Sequence, residues 1–393
     1  MDPAAAITSH AAPAGGGSFD VDAARAAFPV LGSDHEGGPV VYLDSGASAQ
    51  KPQVVVDRMA TFAAHHYANI HRGVYGLAQD ADAAYEGARR RAASFVNADP
   101  RGTIFTKNVT EAFNLVARSW GEENLQPGDQ IVLTELEHHA NLVPWQVVAQ
   151  KTGAELVWLP VKPDGQVDLE PMHEALAGGR VKLVACAHVS NVLGTILPVA
   201  EITAAAHAAG AVVCIDGAQA VTQMPVDVAA IDADFYGWTG HKLYGPSGIG
   251  VLHGKRELLE AMPPFLVGGD MISVVTKEGS TWAPVPSKFE AGTPPIIEAA
   301  GLATAIDFVE SFGMDAIREH AVEITAYALE RLSPFPGITI YGPAKAEDRG
   351  GLVAFTLDYA HPHDIAEILA RDGVCVRAGQ HCAEPLARGL GVP

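Results

Sequence analysis

From Arg101 to Asp216, short and almost continuously apolar runs alternate with helical patterns, and this alternation restricts the fold more than anything else in the chain. Gly102-Thr-Ile-Phe-Thr, Gln130-Ile-Val-Leu-Thr, Glu155-Leu-Val-Trp-Leu, Val181-Lys-Leu-Val-Ala-Cys-Ala and Ala211-Val-Val-Cys-Ile-Asp216 read as strands. A strand that is apolar on both faces must be covered on both, which means a mostly parallel sheet between helical layers. Helices are expected over Thr110–Trp120, after Asn141, after Asp168 and from Ala200, with further short strands near Phe235 and Ile249. Beyond Thr293 the pattern changes. Long helices over Ile296–Phe312 and Met314–Leu332 precede strands at Ile338–Tyr341, Leu352–Thr356 and Val374–Arg377, with a helix near Asp364–Arg371.

The reading is an α/β large domain over 41–300 and a smaller α+β domain over 301–393, with 19–40 packing against the smaller one. Residues 1–18, mostly Ala, Gly, Pro and Ser, are expected to be a disordered tail. A length of 393 residues suits two to three domains without staples, and no internal repeat points to a solenoid.

Charge and cysteine content then exclude several classes. Lys plus Arg is 26 against 46 for Asp plus Glu, a net charge of −20 with no basic cluster, so a nucleic-acid partner is not expected. The four cysteines, Cys186, Cys214, Cys375 and Cys382, are too few for a disulfide framework and form no C-x-x-C pair, which points to a reducing compartment and away from zinc. No basic leader precedes an apolar run, and no uninterrupted apolar stretch reaches 18 residues, so a cytoplasmic chain without a membrane partner is expected.

In a parallel sheet, ligands sit beyond the carboxyl ends of the strands. No G-x-G-x-x-G follows the first strand, and there is no Walker A and no H-E-x-x-H. Asp216 ends an apolar strand, where a carboxylate is costly unless paired; Asp-x-x-Gln is also capping-box spacing, so a helix cap explains it equally simply. Lys242 follows an apolar segment inside Trp238-Thr-Gly-His-Lys-Leu-Tyr-Gly. It is either an exposed loop lysine or an amine held in a site where its pKa falls and it can condense with an aldehyde. Of the cysteines, Cys186, Cys214 and Cys375 belong to apolar strands and read as core, whereas Cys382 lies in a loop after Gln380-His381 with Arg377 nearby. That setting suits either an inert loop thiol or an activated one.

Asp216 followed by Lys242 in an α/β sheet resembles the fold-type I pyridoxal phosphate enzymes. Eight motifs in order narrow the resemblance to the class V aminotransferase-fold cysteine desulfurases, and within them to the SUF-type (group II) branch. They are Tyr42-Leu-Asp-Ser-Gly-Ala-Ser, Asn69-Ile-His-Arg-Gly, Glu137-His-His-Ala-Asn-Leu-Val-Pro-Trp-Gln, His188-Val-Ser-Asn-Val-Leu-Gly-Thr, Asp216-Gly-Ala-Gln, Thr239-Gly-His-Lys, Phe289-Glu-Ala-Gly-Thr-Pro and Arg377-Ala-Gly-Gln-His-Cys-Ala.

The resemblance implies pyridoxal 5'-phosphate as cofactor, Lys242 as Schiff-base lysine, Asp216 as partner of the pyridine nitrogen and Gln219 as donor to the ring hydroxyl. His139 would stack on the ring and move protons, although alone it reads equally well as a helix-start histidine. Thr110, Thr239, His241 and the amides opening the Thr110 helix would hold the phosphate. The family often has Ser where Thr239 stands, and a second Thr where Val109 stands. Thr293 would reach the phosphate of a neighbouring subunit, which implies a homodimer. Asn191 and Arg377 would bind the substrate, with His71 lining the pocket.

The implied reaction converts L-cysteine to alanine while Cys382 accepts the sulfur as a persulfide, for a small SUF-type acceptor protein and Fe–S cluster assembly. A selenocysteine lyase, a thiol-independent aminotransferase or lyase, and an inactive scaffold of the same fold remain as alternatives. The family continues past Cys-Ala-x-Pro to another carboxylate-clamping arginine, whereas this sequence stops at Gly389–Pro393. The expectation is a shortened small domain in which substrate is held weakly, or in which Arg377 or Arg388 compensates.

Overall fold

A computed structural model describes residues 19–35 and 38–392; the tail expected over 1–18 lies outside the described residues. Seven strands form the central sheet: β1 (Thr103–Thr106), β2 (Gln130–Thr134), β3 (Glu155–Leu159), β4 (Val181–Ala187), β5 (Val212–Asp216), β6 (Phe235–Thr239) and β7 (Gly250–Gly254). Their order across the sheet is β1-β7-β6-β5-β4-β2-β3. Every neighbouring pair is parallel except those of β7, which runs antiparallel to both β6 and β1.

The period-two geometry of a strand explains why these sequences are apolar throughout. Val132, Val184, Val213, Ile215, Tyr236 and Val251 pack into one core, while Ile131, Leu183, Ala185, Cys214, Phe235 and Leu252 pack into another. Adjacent residues of one strand thus belong to opposite layers. Cys186 and Cys214 are buried in these layers, whereas Cys375 is half-buried at the sheet of the C-terminal part.

Helices α1 (Gln53–His65) and α2 (Gly76–Phe95) pack against a long C-terminal helix over Ile296–Phe312. This last helix runs through residue 300 without a break and ends at Gly313, whose φ of 83° favours glycine. Met314–Leu332, the antiparallel pair Ile338–Tyr341 and Ala354–Leu357, and the helix Pro362–Arg371 follow it. The N-terminal segment touches both parts: Phe19 stacks on His320 at 4.7 Å, and Phe28 packs against Tyr244 and Phe308. Val41–Tyr42 pairs in parallel with Val374–Cys375, joining the two ends of the chain. Among the described residues, no helix is long and apolar enough to cross a membrane.

Helix α3 covers Val109–Leu115 and starts where Asn108 caps it, the side-chain oxygen accepting from the Glu111 N–H at 2.9 Å. It does not continue as a plain α-helix to Trp120; Val116–Gly121 widens into a π segment, a departure that apolar spacing does not reveal. Two reversals of direction, β6 to β7 and β7 to β1, bring the carboxyl end of β1 to the same sheet edge as those of β6, β5, β4 and β2. Chemistry can therefore draw on five strand ends at once.

Candidate active site

Along that edge lies a cavity of about 710 Å³, roofed by residues 351–356 and 376–383 of the C-terminal part. Its wall includes Thr110, Asn191, Asp216, Thr239, Lys242 and Cys382, drawn from five segments of the chain.

Asp216 ends β5 and is only 6% exposed. Burial pushes its pKa up, opposed by the Ala218 N–H that donates to Oδ1 at 2.9 Å and by the charge of Lys242. A capping box is not what forms here. A 3-10 turn over Ala220–Thr222 follows, and Gln219 turns its amide away to donate to the Gly46 carbonyl at 2.7 Å. Gly217 has no room for a side chain, since a Cβ would lie 2.1 Å from the Tyr236 ring. Lys242 follows β6; burial lowers its pKa, while the carboxylate of Asp216 and the Cys382 thiol raise it and Arg377 lowers it further. An amine with a lowered pKa keeps a larger neutral, nucleophilic fraction.

Thr239 closes β6 with a hydroxyl that is fully buried and has no hydrogen-bond partner among the described residues. Such a group normally finds a partner, and the residue that carries it borders the cavity together with Thr110 and the opening residues of α3. Gly250 lets β7 approach that opening, because a Cβ there would sit 2.5 Å from the Asn108 backbone. His241 lines the same end, its Nδ1 3.2 Å from Ser48 Oγ. Burial, with the nearby charges of Lys242 and Lys51, pushes it down to about 4, so it is neutral. Lys51 braces this turn by donating to the His241 carbonyl at 3.1 Å, and burial lowers it to about 8.

The two adjacent histidines differ from the expectation in where they lie. His138, not His139, lines the cavity. Its Nδ1 accepts from the Ala140 N–H at 3.0 Å, which leaves the proton of the neutral ring on Nε2. Burial, followed by Lys242 and His139, pushes it down to about 4. His139 faces the turn around Cys382 instead: its N–H donates to the Cys382 carbonyl at 2.7 Å, and its Nε2 accepts from the Glu384 N–H at 3.1 Å. The reason is local. His138 precedes a 3-10 turn over His139–Asn141, which sends adjacent rings in different directions. Beneath this turn lies Glu137, fully buried and pushed up to about 8 by burial, a residue whose polar type alone gave no sign of its place.

Cys382 is exposed, and both it and His381 have left-handed backbones with φ of 57° and 51°. For residues with a Cβ this costs about 1–3 kcal/mol each, and it persists only where neighbours impose it. Asn191 contributes by donating from Nδ2 to the His381 carbonyl at 2.7 Å. Arg377 borders the cavity with Nη2 3.2 Å from Asp44 Oδ2.

Four expected residues lie outside the cavity wall: His139 and Gln219 as described, together with His71 and Thr293. His71 is exposed, with Nδ1 3.3 Å from Asp82. Thr293 is exposed beside a loop anchored by the buried Glu290–Arg89 pair.

The donors fit a phosphorylated pyridine aldehyde. An orphaned hydroxyl and helix-opening amides suit a phosphate, a buried carboxylate suits a protonated ring nitrogen, and a lysine of lowered pKa suits a carbonyl carbon.

Comparison with known proteins agrees. The model of the family described as aminotransferase class-V matches residues 41–393. A probable cysteine desulfurase of Streptomyces coelicolor is 48% identical over 383 residues, covering 96% of this chain and 91% of that protein. A cysteine desulfurase of Haloferax volcanii is 47% identical over 387 residues, covering 95% and 90%. The solved structure of the Escherichia coli cysteine desulfurase CsdA, in an S-sulfonic acid form, superposes with a TM-score of 0.87 at 40% identity, covering 96% and 92%.

Proposed function

This chain belongs to the class-V aminotransferase family, and from that premise we propose that it removes sulfur from L-cysteine, releasing alanine and leaving the sulfur on Cys382. It is a pyridoxal 5'-phosphate enzyme of the cysteine desulfurase kind. The observation that carries the proposal is the meeting of Lys242, Asp216 and Cys382 in one cavity.

When bound, the cofactor supplies an aldehyde for the substrate amine and a ring that takes up the electron pair released with the α-proton. Lys242 Nζ is the group placed to accept that proton and to return it. Asp216 would pair with a protonated ring nitrogen, whose charge would in turn hold the carboxylate ionised. Neutral His138 offers an Nε2 proton within the same cavity. Thr110, Thr239 and His241 would hold the phosphate end, and Arg377 and Asn191, which border the same cavity, would bind the substrate.

The Cys382 sulfur, as thiolate, attacks the sulfur of the substrate. The S–S bond forms as the Cβ–S bond breaks; the carbon skeleton takes the electron pair and a proton and leaves as alanine. No external oxidant is needed, because the β-carbon is reduced to a methyl group as the sulfur is oxidised to the sulfane level. A thiol acceptor then collects the sulfane sulfur, and an exposed Cys382 suits transfer to a small protein of the SUF type that serves Fe–S assembly.

A homodimer completes the reading. Gly292 donates to the Gly269 carbonyl at 3.0 Å and Arg72 lies 3.4 Å from Asp270, so the segments of Thr293 and His71 share one surface. Val74 and Val267, 90% and 70% exposed, belong to those same segments. A second copy would cover them and carry Thr293 to its cavity. The enzyme with L-cysteine and a thiol reductant should yield alanine and sulfide in equal amounts, and Lys242→Ala neither; retained turnover in that variant would refute the proposal.

A further inference from the structure

We infer that His139 is a positioning residue for Cys382, clamping from outside the turn that presents the thiol. The inference rests on the proposal that Cys382 accepts the sulfur, and it gives the second histidine of the pair a task separate from that of His138.

The helix Glu384–Gly389 begins two residues after Cys382. Its first N–H groups have no partner within the helix, and the preceding residue, Ala383, has no side-chain acceptor to cap them. The imidazole of His139 takes that place, its Nε2 accepting from the Glu384 N–H at 3.1 Å. On the other side of the cysteine, the His139 N–H donates to the Cys382 carbonyl at 2.7 Å. One residue therefore holds the backbone both at Cys382 and just after it.

The turn needs holding. His381 and Cys382 are consecutive left-handed residues with side chains, a conformation that relaxes unless its surroundings enforce it. Three bonds do so: the two from His139 and the one from Asn191 to the His381 carbonyl. The Ala383 N–H, donating to the Gln380 carbonyl at 2.9 Å, closes the loop. His139 does not line the cavity, and His138, the neighbouring ring that does, keeps its own bond to the Ala140 N–H when the His139 ring is removed. The backbone bond from His139 to Cys382 is retained with alanine or glutamine at this position, which keeps the turn attached.

Three holoenzymes test this: wild type, His139→Ala, and His139→Gln, whose side-chain carbonyl can replace Nε2 as acceptor. Amide hydrogen exchange at Glu384 should quicken roughly three- to tenfold in the alanine variant, the population change expected from one ordinary hydrogen bond. Single-turnover persulfide formation on Cys382 should slow by roughly the same factor. Both should return to within about twofold of wild type in the glutamine variant. Cofactor absorbance and L-cysteine binding should stay unchanged throughout. A wild-type exchange rate at Glu384 in His139→Ala, or failure of glutamine to restore it, overturns the clamp. Full turnover by Cys382→Ala would instead sink the underlying reading, so the two failures are distinguishable.

Discussion

Replacing Glu137 with glutamine isolates the pH dependence that one buried carboxyl builds into this fold. Glu137 Oε1 accepts from Thr134 Oγ1 at 2.6 Å and from the Ala187 N–H at 2.9 Å, while Oε2 accepts from Asn141 Nδ2 at 2.7 Å. Burial outweighs these three donors and moves the group from its ordinary 4.5 up to about 8. Between those values the folded chain keeps a proton that the unfolded chain has released, so stability is lost as pH rises through the window. At about 1.4 kcal/mol per pH unit the whole loss is about 5 kcal/mol. A glutamine side chain cannot ionise and escapes it. The Glu137→Gln variant instead carries a pH-independent cost of about 1–3 kcal/mol, because its NH2 must face one of the three donors. Urea unfolding of both holoenzymes, followed by tryptophan fluorescence, should show wild type the more stable near pH 5. The variant should then gain on it by several kcal/mol towards pH 8. Parallel stability curves over that range would refute the argument, since they would mean that Glu137 titrates alike in folded and unfolded chains.

Two further outcomes follow from buried groups elsewhere. Glu290→Ala strands the Arg89 guanidinium, whose bonds to that carboxylate are 2.6 and 2.8 Å and whose side chain is 4% exposed. It should cost about 3–5 kcal/mol in urea unfolding, and the paired change Arg89→Met with Glu290→Leu should recover part of it, since the Phe105 N–H and the Tyr85 hydroxyl still lose the carboxylate they donate to. A loss below about 1 kcal/mol would mean that Glu86 and the Thr103 carbonyl suffice for Arg89. Thr239→Val removes a hydroxyl with no partner among the described residues, so the apoenzyme should unfold at the same urea concentration while pyridoxal phosphate binds about tenfold more weakly. Equal cofactor affinity would exclude that hydroxyl from the phosphate site.

What could be read from the sequence followed from how strongly burial constrains each element. Glu155–Leu159 and Val181–Ala187 have no polar face to obscure their limits, and Ile296–Phe312 and Met314–Leu332 keep an apolar spacing over four turns or more. The antiparallel course of β7 left no trace, because a strand buried on both faces has the same composition in either direction. The hairpin Ile272–Val275 and Ser280–Trp282, largely exposed, carries no alternation to mark it. Within the site, Asp216 and Lys242 draw notice as charges after apolar runs and Cys382 as a loop thiol near Arg377, but each also has a simple structural explanation until the eight motifs are read together. The choice between His138 and His139 could not be made that way, since composition does not say which ring a 3-10 turn sends into the cavity. Lys51 and Glu137 were missed for a similar reason: their importance lies in carbonyls and amides contributed by distant segments.

The most direct test of the account is the mass of the peptide bearing Cys382 after the holoenzyme has met L-cysteine without reductant. The account predicts a gain of one sulfur atom on that peptide, removable by a thiol and formed as alanine appears. Alanine and sulfide released while the peptide stays unmodified, or the added sulfur found on Cys375 instead, would contradict it.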